Sequence, residues 1–294
     1  MNAPTESPRR IHPVPAAAMD RIIDAALAED NPRGDLTADT IVPPGATATC
    51  QVRARQDGIL SGAAVFARTM ARVDERIETT AQLADGEHFA AGDVLLTVTG
   101  PAASILTAER VGLNLLQRLS AIATATGELV ALVAHTKARI ADTRKTTPGL
   151  RALERYAVRC GGGVNHRDNL SDAFMAKDNH LALFDTPQAL TEALRGVRAR
   201  LGHTTAMEVE VDSIDQLPAV LEAGVDVIML DNFDPADIPA AIELIAGRAI
   251  VEASGNINVG TVAAVAESGV DIISSGAITH SVAAIDLGLD MVVE

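Results

Sequence analysis

The stretch RIADTRKTTPGLRALERYAVRCGGGVNHRDNLSDAFMAKDNH, residues 139–180, decides how the rest of the chain is read. Between Arg139 and Lys177 eight lysines and arginines stand against four acids, a local balance of +4 in a chain of net charge −15. An apolar run ends at Ala141 and gives way to the polar segment Asp142 to Pro148, the pattern of a strand emptying into a loop that Pro148 and Gly149 punctuate. Leu150, Leu153 and Tyr156 to Ala157 then recur at helical spacing as far as Arg159, and Gly161 to Gly163 supply residues that tolerate the left-handed turn ending a helix. Asn165, His166 and Arg167 follow on a loop. A second apolar group, Ala173 to Ala176, ends at Lys177. Cationic side chains therefore sit at two successive strand ends, the usual address of an active site in an α/β barrel.

Beyond His180 the chain repeats apolar strand, polar end and helix. The strand ends fall at Asp142, Lys177, Glu210, Asp231, Ser254 and Ser275, and the intervening helical patterns cover Pro187 to Leu201, Ile214 to Ala223, Pro235 to Ala246 and Val259 to Ser268. Strands alternating with helices build a parallel sheet. Six strand ends rather than eight predict an α/β fold of the incomplete-barrel kind, expected over residues 113–280. Ahead of it, residues 1–15 carry four prolines and read as a mobile arm. Ala16 to Glu29 has one apolar stripe, a loop is expected from Asp30 to Pro44, and a helix from Ala63 to Val73. Alternating segments at Thr49 to Arg55, Ile77 to Leu83 and Val94 to Val98, separated by Asp-Gly and Gly-Asp turns, predict an antiparallel α+β domain over residues 16–112. Pro101 to Val133 is helix-rich, with Glu109, Arg110 and Asn114 as polar interruptions. LADGEHFAAGDVLLTV, residues 83–98, also resembles a lipoyl or biotinyl carrier hairpin, but no lysine stands where the prosthetic group would attach.

Composition narrows the function classes. At 294 residues and 48% hydrophobic content the chain can bury a sizeable core. Aromatics make up only 2%, with no Trp and one Tyr, so base-stacking platforms are scarce, and the acidic net charge disfavours nucleic acid or an anionic membrane as partner. No apolar run reaches the roughly 18 residues of a membrane span. Arg9 and Arg10 have no apolar segment behind them, so no export signal is expected. Cys50 and Cys160, without metal-ligand spacing, read as reduced thiols of a cytoplasmic protein.

The motifs carry a further reading. DTRKTTPGLR (142–151), GGGVNHR (161–167) and AKDNH (176–180), with GDLT (34–37), AERVGLNLLQRLS (108–120), EVEVD (208–212), MLDN (229–232), EASGNIN (252–258) and SSGAITH (274–280), resemble the quinolinate phosphoribosyltransferase family in order and over nearly the whole chain. The resemblance implies a magnesium-dependent enzyme of NAD biosynthesis that joins quinolinate to the ribose of 5-phosphoribosyl-1-pyrophosphate. Pyrophosphate and carbon dioxide would leave, and nicotinate mononucleotide would form. It also implies an incomplete barrel, a return of residues 281–294 to the first domain, and a dimer or larger homo-oligomer in which Arg110 reaches the neighbouring subunit's site. By itself, Arg110 equally suits a local ion pair with Glu109.

Quinolinate carries two carboxylates and its co-substrate three phosphorus centres, so the site must gather cations. Arg144, Arg167 and Arg110 suit planar carboxylates through bidentate pairing. Lys145 and Lys177, the candidate catalytic cations, suit phosphate oxygens or the departing carboxylate. Thr143 joins them in the substrate set, and His166 is a candidate donor to a carboxylate. Glu210 and Asp231 end consecutive strands, and the family's matching acids bind the ribose hydroxyls and the magnesium. Strand alternation alone leaves Glu208 open beside Glu210, with Asp212 and Asp178 nearby. Ser254, Gly255 and Asn256, then Ser275, Gly276 and Ala277, are small residues at the last two strand ends, where backbone N–H groups cradle a phosphate. Two rivals remain at this point: a paralogous phosphoribosyltransferase for another acidic heterocycle, and a non-catalytic sensor of phosphoribosyl pyrophosphate.

Overall fold

The structure is a computed structural model and describes residues 11–292. Most of the expected N-terminal arm, with Arg9 and Arg10, lies outside the described residues. In chain order the elements are α1 (Ala16–Asp30), α2 (Leu36–Ile41), β1 (Thr47–Ala54), β2 (Gly58–Ile59), α3 (Ala63–Val73), β3 (Glu78–Ala81), β4 (His88–Phe89), β5 (Val94–Pro101) and α4 (Ala102–Val133). There follow β6 (Arg139–Ala141), α5 (Arg151–Cys160), β7 (Phe174–Ala176), α6 (Asp178–Leu181), α7 (Pro187–Arg198), β8 (Met207–Val211) and α8 (Leu217–Glu222). The last are β9 (Val227–Asp231), α9 (Ile238–Ile245), β10 (Ile250–Ser254), α10 (Val262–Glu267), β11 (Ile272–Ser274), α11 (Ala277–His280) and β12 (Leu287–Met291). They form two compact units, one within Met1–Ala125, Thr147–Gly162 and Val282–Glu294, the other Thr126–Thr146 and Gly163–Ser281.

In the first unit an antiparallel sheet has the order β12-β1-β5-β3. The C-terminal strand thus pairs with β1, Val52 opposite Leu289. Cys50, Val52 and Ala54 alternate inward along β1, as the two-residue period of a strand requires. They meet Phe66 and Met70, one helical turn apart on α3, and Ile105, Leu113 and Leu116 of α4. Both cysteines are buried free thiols. The expected loop Asp30–Pro44 contains α2, because Asp35 caps it: its Oδ1 accepts the Thr37 and Ala38 N–H groups, each at 3.0 Å. The expected boundary at 112/113 is instead the middle of α4. A lone helical glycine costs about 1 kcal/mol relative to Ala, and Gly112 stays in register because a Cβ there would lie 3.0 Å from the Phe66 ring.

In the second unit six parallel strands have the order β6-β11-β10-β9-β8-β7. β6 and β7, neighbours in the chain, take the two outer places, so the sheet follows a barrel's cyclic order with one seam unpaired. Beside β6 the segment after Gly163 continues the ladder: Val164 donates to the Ile140 carbonyl at 2.8 Å and accepts from Asp142 N–H at 3.2 Å. The unit is an incomplete α/β barrel. All six expected strand ends fall within one residue of the observed ones. The helical patterns 214–223 and 259–268 are shorter, since a 3₁₀ turn (Ile214–Gln216) precedes α8 and α10 opens only at Val262. Among the described residues no helix is long and apolar enough to cross a membrane.

Phe66 is fully buried. Phe66→Ala is expected to cost about 3–5 kcal/mol of unfolding free energy through lost burial and the remaining cavity. Urea denaturation checks it, and an unchanged midpoint would contradict the packing described.

Candidate active site

Parallel register aligns the site before any side chain is considered. Glu210, Met229 and Glu252 are partners across β8, β9 and β10, and Asp231, Ser254, Ser274 and Ala141 form the next row across β9, β10, β11 and β6. The loop after β6 carries Thr143, Arg144 and Lys145. Thr279 Oγ1 donates to the Lys145 carbonyl at 2.8 Å, and the Lys145 side chain passes so near Gly276 that a Cβ there would lie 2.8 Å from its Cδ. Asp142, completely buried, accepts Asn165 Nδ2 at 2.5 Å and the His166 N–H at 2.7 Å, tying the loop after β6 to the segment before β7.

These elements enclose a cavity of about 410 Å³ at the C-terminal ends of the strands. Four cations, Arg144, Lys145, Arg167 and Lys177, line it with two acids, Glu210 and Asp231, and with Thr143, His166, Met175, Met229, Ser254 and Ser274. Lys177 Nζ donates to Glu210 Oε2, and Asp231 Oδ2 accepts from Asn232 Nδ2 at 2.7 Å. Arg167 Nη1 donates to the Ala173 carbonyl at 3.1 Å. Burial, and then the like charge of Arg144, depress Arg167 below the ordinary arginine value. Two guanidiniums held together in partial burial are relieved by an anion.

Beneath this wall His166 lies against two buried acids. Its Nε2 is 3.2 and 3.1 Å from Glu208 Oε1 and Oε2 and 3.6 Å from Glu252 Oε1, while Nδ1 accepts the Arg167 N–H at 2.7 Å. Burial and the adjacent Glu208 charge push Glu252 up to about 7 from the ordinary 4.5. Burial opposes a charged imidazole, but the Glu208 hydrogen bond and the Glu252 charge outweigh it, so His166 is raised overall. A second proton would have to occupy Nδ1, where the Arg167 N–H already points, so taking it up breaks that contact.

Nine expected residues line the one cavity: Thr143, Arg144, Lys145, His166, Arg167, Lys177, Glu210, Asp231 and Ser254. His166, a candidate donor to a carboxylate, lines the cavity with its Nε2 beside Glu208. Others differ from expectation. At the last strand end Ser274 lines the cavity, whereas Ser275 is buried with its hydroxyl donating to the Ile257 carbonyl at 3.3 Å. Ser254–Gly255–Asn256 do not open a helix; Ile257 to Thr261 intervene before α10. Gly255 has φ +94°, and a Cβ there would lie 2.1 Å from Asn232 Oδ1, so this turn closes on the MLDN turn. Gly276 and Ala277 do begin α11. Arg110 belongs to the first unit, exposed, with Nη2 4.0 Å from Glu109. Glu252 escaped the sequence reading, although it stands two residues before Ser254 on the same strand face.

Residues 35–120 match the N-terminal domain of quinolinate phosphoribosyl transferase and residues 122–290 its C-terminal domain. The chain belongs to the quinolinate phosphoribosyltransferase family. Among its relatives is the nicotinate-nucleotide pyrophosphorylase [carboxylating] of Mycobacterium leprae, 42% identical over 281 residues, covering 92% of this chain and 95% of that one. The quinolinate phosphoribosyltransferase [decarboxylating] 2, mitochondrial, of Nicotiana glauca is 38% identical, covering 94% and 82%. The solved nicotinate-nucleotide pyrophosphorylase of Francisella tularensis superposes with TM-score 0.87 at 38% identity, covering 97% of this chain and all of that one.

The acid expected for magnesium in this family member, Glu210, is paired with Lys177, and among the described residues the group of three metal-type ligands is His166, Glu208 and Glu252. Glu210 and Asp231 still fit magnesium, which takes a few carboxylate oxygens and completes its shell with water and substrate phosphates.

Glu252 also gives a pH signature. Its folded value lies above the unfolded 4.5, so the folded state holds the extra proton and stability falls as pH rises from about 4.5 to about 7. Relative to Glu252→Gln, the wild type is expected to lose up to about 3 kcal/mol across that window. Urea titrations of both proteins at pH 5 and pH 8 measure it, and parallel pH profiles would contradict the buried-acid assignment.

Proposed function

We propose that this chain transfers the phosphoribosyl group of 5-phosphoribosyl-1-pyrophosphate to the ring nitrogen of quinolinate and removes the carboxylate beside that nitrogen. The products are nicotinate mononucleotide, pyrophosphate and carbon dioxide, a step of de novo NAD synthesis. The observation that carries the reading is the convergence of Arg144, Lys145, Arg167 and Lys177 with Glu210 and Asp231 on one cavity of an otherwise acidic chain.

The roles follow from charge and shape. Arg144 and Arg167 hold the two quinolinate carboxylates through planar, paired hydrogen bonds. Lys145 and Lys177 neutralise phosphate oxygens and the carboxylate that departs; Lys177 exchanges its Glu210 partner for substrate. Ser254, Gly255, Asn256, Gly276 and Ala277 are assigned the ribose 5-phosphate, with Ser274, which faces the cavity, in place of the buried Ser275, whose N–H and hydroxyl already donate within the fold. Thr143 adds a hydroxyl. Glu210 and Asp231 take the ribose hydroxyls and would hold magnesium, which when bound offsets the charge of the pyrophosphate.

As the C1–O bond to pyrophosphate breaks, the ribose becomes cation-like, and the two carboxylates stabilise it electrostatically. The nitrogen lone pair forms the new bond to C1. The bond from the ring to the adjacent carboxylate then breaks, its electron pair staying on the ring carbon beside the positive nitrogen until a proton arrives. No side-chain nucleophile is needed. The resemblance also supports a homodimer or larger oligomer in which Arg110 of a second copy completes the carboxylate contacts, and the two unpaired cysteines support a cytoplasmic enzyme.

With quinolinate, phosphoribosyl pyrophosphate and magnesium, the protein is expected to release carbon dioxide and nicotinate mononucleotide in equal amounts. Lys145→Ala and Lys177→Ala are each expected to lower turnover by about 10²-fold, the effect of some 3 kcal/mol of transition-state stabilisation. Near-normal kinetics in both would refute the assignment. Mixing Arg110→Ala and Lys145→Ala chains should restore activity if the site is shared, because hybrid dimers regain one intact set. No recovery on mixing counts against the shared site.

A further inference from the structure

We infer that Glu208, backed by Glu252, is a positioning residue that fixes the tautomer of His166 and through it the backbone of Arg167 at the wall of the substrate cavity. Glu208 touches neither the cavity nor any group assigned to substrate. It is 4% exposed on β8, facing the same interior as Glu210 but one pleat deeper. An ionised carboxylate only accepts hydrogen bonds. With both Glu208 oxygens within 3.2 Å of Nε2, the imidazole proton is held on Nε2. Nδ1 is then a lone pair, and it is this lone pair that accepts the Arg167 N–H at 2.7 Å. The opposite tautomer would set two donors against one another at Nδ1 and leave Glu208 facing a bare nitrogen lone pair. Both ends of the ring therefore select one proton position.

Glu252 completes the support. Its Oε1 lies buried 3.6 Å from Nε2, packed behind the same nitrogen. The relay is short: Glu208 to His166 Nε2, His166 Nδ1 to Arg167 N–H, and Arg167 Nη1 to the Ala173 carbonyl. Asp142 clamps the same segment from the other side through the His166 N–H. Together these bonds hold the Arg167 backbone and one nitrogen of its guanidinium, whose aim decides how well a planar dianion is gripped. The consequence for catalysis rests on quinolinate being the substrate; the tautomer itself does not.

Side-chain ¹⁵N NMR of the full-length protein at pH 7.5, with the His166 signals assigned by their loss in His166→Asn, tests the tautomer without any substrate. The expected spectrum has Nε2 protonated and Nδ1 unprotonated. A protonated Nδ1 overturns the proposal even if every variant misfolds. Steady-state kinetics test the relay. Glu208→Leu removes the acceptor and is expected to raise KM for quinolinate by about tenfold, roughly one hydrogen bond's worth, more than it lowers kcat or changes KM for phosphoribosyl pyrophosphate. Glu208→Gln keeps a carbonyl acceptor and should recover most of the loss. Equal effects on both substrates, or no recovery with Gln, point to general structural damage and contradict the positioning role. If the wild type turns over no quinolinate, the proposed function fails while the NMR result still decides the tautomer.

Discussion

Like charges resist being gathered, and the second unit of this protein is built against that resistance. Arg144, Lys145, Arg167 and Lys177 share a cavity of about 410 Å³, with only Glu210 and Asp231 as opposing charges among its lining residues. What makes the cluster tolerable is the layer of buried carboxyl groups around it: Asp142 under the two loops, Glu208 and Glu252 under His166, and Glu210 against Lys177. Asp142, Glu208 and Glu210 are each hydrogen-bonded or paired, because an unpartnered buried charge would cost several kcal/mol, whereas burial raises Glu252 so that it holds its proton to about pH 7. On the proposed function, an anionic substrate meets this gathered positive charge.

The parallel sheet makes the arrangement possible. Strands running the same way deliver their polar ends to one face, and the register places Asp231, Ser254 and Ser274 abreast. The unpaired seam between β6 and β7 is where the loops carrying Arg144 and Arg167 run together, joined by Asp142. The incomplete barrel leaves that place to Arg144 and Arg167, which line the cavity.

Much of this was legible in the sequence because polar residues closing apolar runs are a strong signal. Lys177, Asp231 and Ser254 stood out for that reason, and the family motifs sharpened their roles. What could not be read was depth. Glu208 and Glu210 share a strand face, and only the path of His166 across the barrel interior tells the acid that supports from the acid that lines the cavity. Ser274 and Ser275 differ by one pleat, a distinction no adjacent pair of serines reveals. Glu252 was hidden because its partner lies far away in the chain. α2 was missed although Asp35 is a recognisable cap, and α4 was expected to break where Gly112 merely lets Phe66 approach.

The central claim is that the converging guanidiniums grip a planar dianion together. Calorimetric titration of quinolinate into the wild type, Arg144→Leu and Arg167→Leu measures this most directly. The account predicts that each substitution weakens binding by at least about tenfold, the loss of a charge-assisted hydrogen bond. Affinity unchanged in both variants would mean that the dianion is held elsewhere, and the account would be wrong.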